Sequence, residues 1–267
     1  MKLPFITTLL LAAVASTASA DQLRSAELTQ VIKDVKVYRG SSSPKAAVVG
    51  DKLDRSSSVT TGRRSRAELT FQDDTITRLG QNSVFSFRSG SREVELKQGS
   101  ILMQVPKNAG GATIRTATVT AAITGTTSMF EYSPNQWVKL ITLEGTQQLF
   151  IDGREDPIPV PAGSMIIVSL NKPGDFLKLN VDIDKLRKTS ALLERGNFKP
   201  LPDPALEAIK ETVAKQEEQK REGSYLPTKA AIPGPGMRGA RGQNAGRASR
   251  DPKMPEDTPP PNRFNTK

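Results

Sequence analysis

Short runs of alternating apolar and polar residues, separated by turn signals, extend from Val31 to about Leu179. In Arg66–Phe71, for example, every second residue is apolar, as in a strand with one buried face. Turn signals such as Asp152-Gly153 recur at intervals of roughly 8–12 residues. Because no helical periodicity interrupts this region, the pattern predicts an all-β fold, either a sandwich, a barrel or a short β-solenoid.

The strand pattern also predicts where individual side chains point. Leu69 and Glu68 lie on opposite faces of the strand Arg66–Phe71, so we expect Leu69 in the core and Glu68 in solvent. Asp73-Asp74 is predicted as the hairpin turn that follows, because Asp tolerates turn conformations. Further strands are predicted at Glu93–Lys97, Ile101–Val105 (after a break at Gly99), Ile114–Ile123, Trp137–Leu143, Gln147–Ile151 and Ser164–Val168.

The pattern changes to a helical one after Asn180. Asp182 is predicted to cap a short helix that ends at Gly196. A second helix is predicted with Asp203 as its N-cap, proline at its first position and Gly223 at its end. Two short helices therefore follow the β region.

The first twenty residues have the features of a cleavable signal peptide. A basic residue precedes an apolar run, and the segment ends in Ala18-Ser19-Ala20 before Asp21. The apolar run is too short to span a bilayer, and Ser164–Leu170, the next most apolar run, is shorter still. We therefore predict export to the periplasm or the cell surface, without a transmembrane anchor.

The last 45 residues are rich in proline, glycine and arginine, and they hold eight of the basic residues of a chain whose net charge is +10. Such a composition predicts a disordered tail. A solvated spacer is the simplest reading, and attachment to an anionic surface polymer or lipid head groups is the alternative. We expect no nucleic-acid binding, since no aromatic residues are interleaved for base stacking. The predicted divisions are a signal peptide at 1–20, a β domain at 21–180, a helical extension at 181–222 and the tail at 223–267.

The chain contains no cysteine and no histidine. This composition excludes Ser-His-Asp and Cys-His catalysis and removes the commonest zinc ligands, so we expect no metal or cofactor. Carboxylates remain as the candidate catalytic groups. Two pairs, Asp73/Asp74 and Glu93/Glu95, fall on a turn and on an outer strand face, where solvated charges are normal. A third pair, Asp182/Asp184, lacks the rest of a calcium loop and is better explained by a helix cap.

The run TGRRSRAELTFQDDTITRLGQNSVFSF, followed by LKQGSILMQVPK, resembles the FecR family of bacterial domains. The likeness continues over about Val31–Val168 and depends mainly on turn glycines and core alternation. Asp74 stands where the family usually has glycine, so a non-glycine residue would occupy a position with positive φ. The matching residues are Thr61-Gly62, Leu69, Phe71, Asp73-Asp74-Thr75, Arg78-Leu79, Phe85 and Phe87.

The resemblance implies a FecR-type sandwich or short solenoid, in a family that relays signals from outer-membrane receptors to cytoplasmic sigma factors. Here a signal peptide stands where such regulators carry an anti-sigma segment and a membrane helix, so we expect a stand-alone exported form. The predicted function is non-catalytic recognition of a protein or envelope partner, in signalling or scaffolding. A carboxylate-based envelope or carbohydrate-active enzyme and a purely structural surface protein are the alternatives.

The resemblance also draws attention to one peptide bond, Gly125-Thr126. In transmembrane regulators of this type, a Gly-Thr bond at this step can break when the threonine hydroxyl attacks the preceding carbonyl. Glycine favours such a step because it tolerates strained dihedrals. The alternative is that Gly125 lets the strand turn and that Thr126 satisfies the backbone, and we expect this bond to stay intact.

Overall fold

The computed structural model describes Leu23 and residues 25–54, 57–88, 91–172 and 174–225. The predicted signal peptide and nearly all of the predicted tail lie outside these ranges. Within them the protein is mainly β, which confirms the predicted fold class. The strands are β1 Ala26–Ile32, β2 Val35–Arg39, β3 Lys45–Ala46, β4 Lys52–Leu53, β5 Ser57–Thr61, β6 Arg66–Phe71, β7 Ile76–Leu79, β8 Val84–Arg88, β9 Glu93–Gln104, β10 Ala112–Arg115, β11 Val119–Ile123, β12 Thr127–Ser133, β13 Trp137–Glu144, β14 Thr146–Ile151, β15 Ile158–Pro161, β16 Ser164–Ser169 and β17 Phe176–Asn180.

The strands form two sheets that share β9. Sheet A runs β4-β1-β6-β7-β9-β12-β13-β16-β17, and all of its pairs are antiparallel. Sheet B runs β3-β2-β5-β8-β9-β10-β11-β14-β15, and its one parallel pair is β9 with β10. Apolar residues of both sheets pack into a common core, as in a sandwich.

Strand β9 passes from one sheet to the other at Gly99. Its first half pairs with β8 in sheet B, and its second half pairs with β7 and β12 in sheet A. Gly99 has φ +94°, and a Cβ there would lie 2.5 Å from Cα of Ser83. The prediction of two strands separated by Gly99 is therefore wrong, because the glycine bends the strand without ending it.

Two further turns join neighbouring strands, one in a region predicted as a single strand and one where a turn was predicted. The predicted strand Ile114–Ile123 is instead a hairpin of β10 and β11, closed by two hydrogen bonds between the Thr116 hydroxyl and the backbone of Val119. The Asp73-Asp74 turn is confirmed. Asp74 has φ +61°, and the Asp73 carboxylate accepts a hydrogen bond from the N–H of Thr75 at 3.0 Å.

A helical layer covers the outer face of sheet A. It consists of α1 Ile183–Thr189, a 3-10 turn Glu194–Gly196 and α2 Asp203–Arg221. Their apolar residues form a second core with sheet A, which includes Leu102, Ile141, Leu143, Ile183, Leu192, Leu193 and Ile209. No helix within the described ranges is long and apolar enough to cross a membrane.

The helix boundaries differ in part from those predicted. Asp182 is the N-cap of α1, as predicted, and accepts a hydrogen bond from the N–H of Lys185 at 2.9 Å. The helix ends at Thr189, before the predicted Gly196, because Ser190 is extended. This break allows the consecutive Leu192 and Leu193 both to be buried against sheet A. Helix α2 begins one residue earlier than predicted, with Pro202 at the cap position.

The prediction that Glu68 faces solvent is wrong, because the helical layer covers its side of the sheet. Glu68 is 5% exposed, and its Oε2 lies 2.8 Å from Nε of Arg78. The Arg78 guanidinium also donates to the carbonyl oxygens of Leu192, at 3.1 Å, and Lys199, at 2.5 Å. Both faces of sheet A are therefore buried at this point.

Candidate binding site

Two neighbouring cavities lie where helix α2 covers the ends of the strands of sheet A. The larger has a volume of about 590 Å³ and extends along α2 to Tyr225. The smaller has a volume of about 360 Å³ and lies at the start of α2. Lys107, Gly125 and Glu144 line both cavities. The two cavities therefore share one polar wall.

Three polar residues, of which Glu144 belongs to this wall, lie side by side on three adjacent strands. Thr127 on β12 pairs with Gln104 on β9 and with Glu144 on β13. The Thr127 hydroxyl donates a hydrogen bond to Oε1 of Glu144 at 2.9 Å. The same face is apolar two residues before Gln104, at Leu102, and two residues after Thr127, at Met129, and both residues pack in the second core. The row Gln104–Thr127–Glu144 therefore ends an otherwise apolar face.

A β-bulge gives Glu144 its direction. The β12–β13 register shifts so that Thr127 opposes Glu144 while Ser128 opposes Thr142, which leaves Leu143 as the extra residue. Without the bulge, strict alternation would turn Glu144 to the same side as Thr142. Bulges commonly re-aim side chains in this way. Here the bulge brings a carboxylate under the helical layer.

The two cavities are lined by buried polar groups whose hydrogen bonds the described residues do not fully satisfy. Gln104 and Glu144 are each 5% exposed, and Oε1 of Gln104 has no hydrogen-bond partner among the described residues. The Tyr225 hydroxyl, at the larger cavity, is likewise buried without a partner in that part of the chain. Burial raises the pKa of Glu144, opposed by the Thr127 hydrogen bond and the charge of Lys107. Groups that donate hydrogen bonds would therefore be favoured in these cavities.

The Gly125-Thr126 bond lies beside this wall. Gly125 has φ +59°, and a Cβ there would lie 2.9 Å from Cα of Lys107, so the position requires glycine. Thr126 is 1% exposed, and its hydroxyl lies 3.4 Å from the Ser128 hydroxyl. Its methyl group packs over Gly145, where a Cβ would lie 2.5 Å from it. The structure thus places Gly125 at the cavities and buries the Thr126 hydroxyl.

At least one member of each carboxylate pair noted in the sequence forms an ion pair. Asp73 pairs with Arg92, and Glu95 pairs with Lys97 at 3.8 Å. Asp184 pairs with Arg187 and Lys188, at 2.9 and 2.7 Å. Over the described ranges, no group of three or more acidic residues is arranged to hold a metal ion.

The larger cavity is also lined by a second carboxylate, Glu211 of α2. Glu211 is exposed, and a hydrogen bond from Lys215, with Oε1 2.8 Å from Nζ, lowers its pKa. The pKa values of Glu144 and Glu211 are therefore shifted in opposite directions. Only Glu144, however, is removed from solvent.

Sequence reasoning did not identify Gln104, Glu144 or Tyr225. Gln104 was a usable signal, since it interrupts the apolar run ILMQV at a position that alternation places with Leu102. The sequence does not indicate that Glu144 is buried, because Glu144 precedes Gly145 and its pattern is typical of a turn. Its burial depends on the bulge and on α2, which the local pattern does not specify.

Residues 57–146 match the family model described as FecR protein. This range runs from β5 to the first residue of β14 and contains Gln104, Thr127 and Glu144. The chain therefore carries a FecR domain, as the resemblance in its sequence indicated. The domain includes strands of both sheets and the whole polar row.

Two crystal structures of a candidate anti-sigma factor from Parabacteroides distasonis ATCC 8503, at 2.50 and 1.65 Å resolution, are similar to this chain. Each is 18% identical to it, with TM-scores of 0.44 and 0.45. The first match covers 51% of this chain and 63% of the crystallised chain, and the second covers 60% and 75%. In the first match, this chain therefore spans less than two thirds of the length of the crystallised chain. No curated protein matches the chain. The FecR likeness therefore rests on the match over residues 57–146.

Proposed function

We propose that this chain is an exported, non-catalytic recognition module of the FecR type. It binds a protein or envelope partner in periplasmic or cell-surface signalling, or in envelope scaffolding. The observation that carries the proposal is the FecR match over residues 57–146. The resemblance to this family implies a role in relaying signals across the envelope. Export is supported by the signal-peptide pattern that ends at Ala20.

Recognition is supported over catalysis by the chemistry of the cavities. The chain has no histidine or cysteine, so general acid–base work would depend on carboxylates or lysines. Of the two carboxylates at the larger cavity, Glu211 is exposed and neutralised by Lys215. Glu144 is engaged by Thr127. Both carboxylates are thus held by neighbouring side chains, which suits binding a partner better than exchanging protons with a substrate.

Site-specific photo-crosslinking in the native cells tests the proposal. A photoreactive residue at Lys215 or Gln219, on the α2 side of the larger cavity, should give a discrete adduct with one envelope protein. The matched control is Lys97, an exposed lysine on sheet B. Adducts of the same pattern from all three positions, or none from either cavity position, would contradict recognition at this site. N-terminal sequencing of envelope material should begin at Asp21, and retention of Met1 would exclude export.

A carboxylate-based hydrolase is the second candidate, because the pKa values of Glu144 and Glu211 shift in opposite directions at one cavity. The test is release of new reducing ends from purified cell-wall polysaccharide. Release that disappears with Glu144→Gln would favour the enzyme. The recognition proposal expects no release from either form.

A further inference from the structure

We propose that the smaller cavity binds one alkylammonium or alkylguanidinium group, presented by a lysine or arginine side chain of a partner polypeptide. The inference rests on the proposed recognition function and names the chemistry of the contact. The acceptors at the wall, the apolar surroundings and the balance of charge support it.

The acceptors of the cavity call for a ligand that donates several hydrogen bonds. Oε1 of Gln104 is buried without a partner in the described chain, and the Glu144 carboxylate stands two strands away with Thr127 between them. Thr127 donates to Oε1 of Glu144, which holds that carboxylate in position. Leaving buried acceptors unsatisfied costs free energy, so their natural complement is a group with N–H donors.

The remaining lining of the cavity matches an alkyl stem. Val105 and Pro106 directly follow β9, while Pro202, Pro204 and Ala205 lie at the cap and the start of α2. The exposed Asn108 is the one other uncharged polar residue of the described lining. Lysine and arginine bury their methylene stems along apolar surface and hold a charged head at one end. A cavity with apolar walls and an acceptor wall is complementary to such a side chain.

The charges at the cavity favour a cation over an anion. Glu144 lies at the wall, and a second carboxylate, Asp74, lines the cavity from the exposed β6–β7 turn. Lys107 is the basic residue of the lining; it is exposed, and its charge acts on Glu144. Lys107 therefore competes with an incoming cation for the Glu144 carboxylate, and a bound cation would replace it as the counter-charge. An anion would instead be repelled by the buried Glu144 carboxylate, with only the exposed Lys107 to compensate.

The experiment is an NMR titration of the full mature chain with butylguanidinium, and with butylurea as its neutral counterpart of the same shape. The side-chain amide of Gln104 and the backbone amide of Gly125 report on the cavity. We expect saturable shifts of both signals with butylguanidinium and none with butylurea. Equal shifts with the two compounds, or no saturable shift with butylguanidinium, would overturn the proposal.

Four variants, one of them a control, locate the site. Glu144→Gln keeps an acceptor for Thr127 but removes the charge, and should weaken butylguanidinium binding by about tenfold or more, as expected for loss of a buried charge-assisted contact. Glu95→Gln, at a carboxylate on sheet B that lines neither cavity, is the matched control and should bind as the original chain does. Lys107→Met removes the competing charge and should bind more tightly. Unchanged affinity in Glu144→Gln would refute the site. If that variant fails to fold, Gln104→Met must weaken binding instead.

The source of the cation is tested with a short neutral peptide that contains a single arginine. Tighter binding of this peptide than of butylguanidinium supports a polypeptide partner, and weaker binding overturns that source. The titrations do not use the native partner. Loss of the cation site would therefore leave the photo-crosslinking result intact, and the two failures can be told apart.

Discussion

Arg78 and Glu68 form an ion pair that is sealed beneath the helical layer, with Nε of the guanidinium 2.8 Å from Oε2 of the carboxylate. The two side chains are only 2% and 7% exposed. Burial lowers the pKa of Arg78, and the hydrogen bond and charge of Glu68 oppose that shift. Since Arg78 also donates to the carbonyls of Leu192 and Lys199, the pair joins sheet A to the segment between the helices.

The first prediction is that Glu68→Ala strongly destabilises the fold. The substitution leaves the Arg78 guanidinium buried without its counter-charge, which typically costs about 3–5 kcal/mol. Denaturant unfolding measures the change in the free energy of unfolding. The control is Glu95→Ala, whose ion pair with Lys97 is at the surface and should contribute under about 1 kcal/mol. Similar small losses in both variants would show that the buried pair does not stabilise the native state.

The contrast between Leu69 and Glu68 shows how far the sequence can predict this fold. Alternation correctly places the two residues on opposite faces of β6 and identifies a β-rich chain. It does not reveal whether one face or both faces are covered, because that depends on a helical segment more than a hundred residues later. The identity of Arg78 as the partner of Glu68 is equally a product of tertiary packing.

The candidate site was harder to predict for a related reason. Gln104, Thr127 and Glu144 become neighbours only through the register of three strands that are separated by loops. The shift that turns Glu144 inward is a single bulged residue, Leu143. A one-residue change in register exchanges the faces of a strand, so the local pattern cannot specify such a contact.

The second prediction concerns Leu69, which is fully buried in the core between the two sheets. Leu69→Ala should reduce the free energy of unfolding by about 2–5 kcal/mol, since it removes apolar contacts and leaves a cavity. Denaturant unfolding is again the measurement. The conservative variant Leu69→Met should cost under about 1.5 kcal/mol. A cost for Leu69→Ala as small as that of Leu69→Met would indicate that the position is not tightly packed.

The third prediction is a pH-dependent effect of Glu144. Burial raises its pKa in the folded state above the ordinary value of 4.5, so ionisation is less favourable in the folded chain than in the unfolded chain. This penalty is absent well below pH 4.5, grows as the pH rises above that value, and becomes constant above the folded-state pKa. Glu144→Gln removes the penalty and keeps an acceptor for Thr127.

Thermal unfolding at pH 4 and pH 8 checks this prediction. The Tm of Glu144→Gln, relative to that of the original chain, should be higher at pH 8 than at pH 4. Glu211→Gln should show no such rise, because the pKa of that exposed carboxylate is lowered by its hydrogen bond with Lys215. A constant difference in Tm at both pH values would mean that Glu144 ionises as easily in the folded state as in the unfolded state.

The last prediction is that the Gly125-Thr126 bond stays intact. Self-cleavage needs the Thr126 hydroxyl held against the carbonyl of Gly125, together with a group that accepts its proton. Lys107 and Glu144 line the same cavities as Gly125, so groups able to exchange protons are close by. Glu144, however, is engaged by the hydroxyl of Thr127, the next residue along the strand.

The orientation of Thr126, which directly precedes β12, explains why the neighbouring carboxylate does not activate it. Consecutive residues of an extended chain point to opposite faces, so a carboxylate that reaches the Thr127 hydroxyl lies on the wrong side for Thr126. The Thr126 hydroxyl instead lies near Ser128, two residues on and therefore on the same face. Intact-mass spectrometry of the purified protein at neutral pH should show a single species over several days. Two fragments that divide after Gly125 and disappear in Thr126→Val would establish autoprocessing, and their loss in Glu144→Gln as well would show that the carboxylate serves as the base.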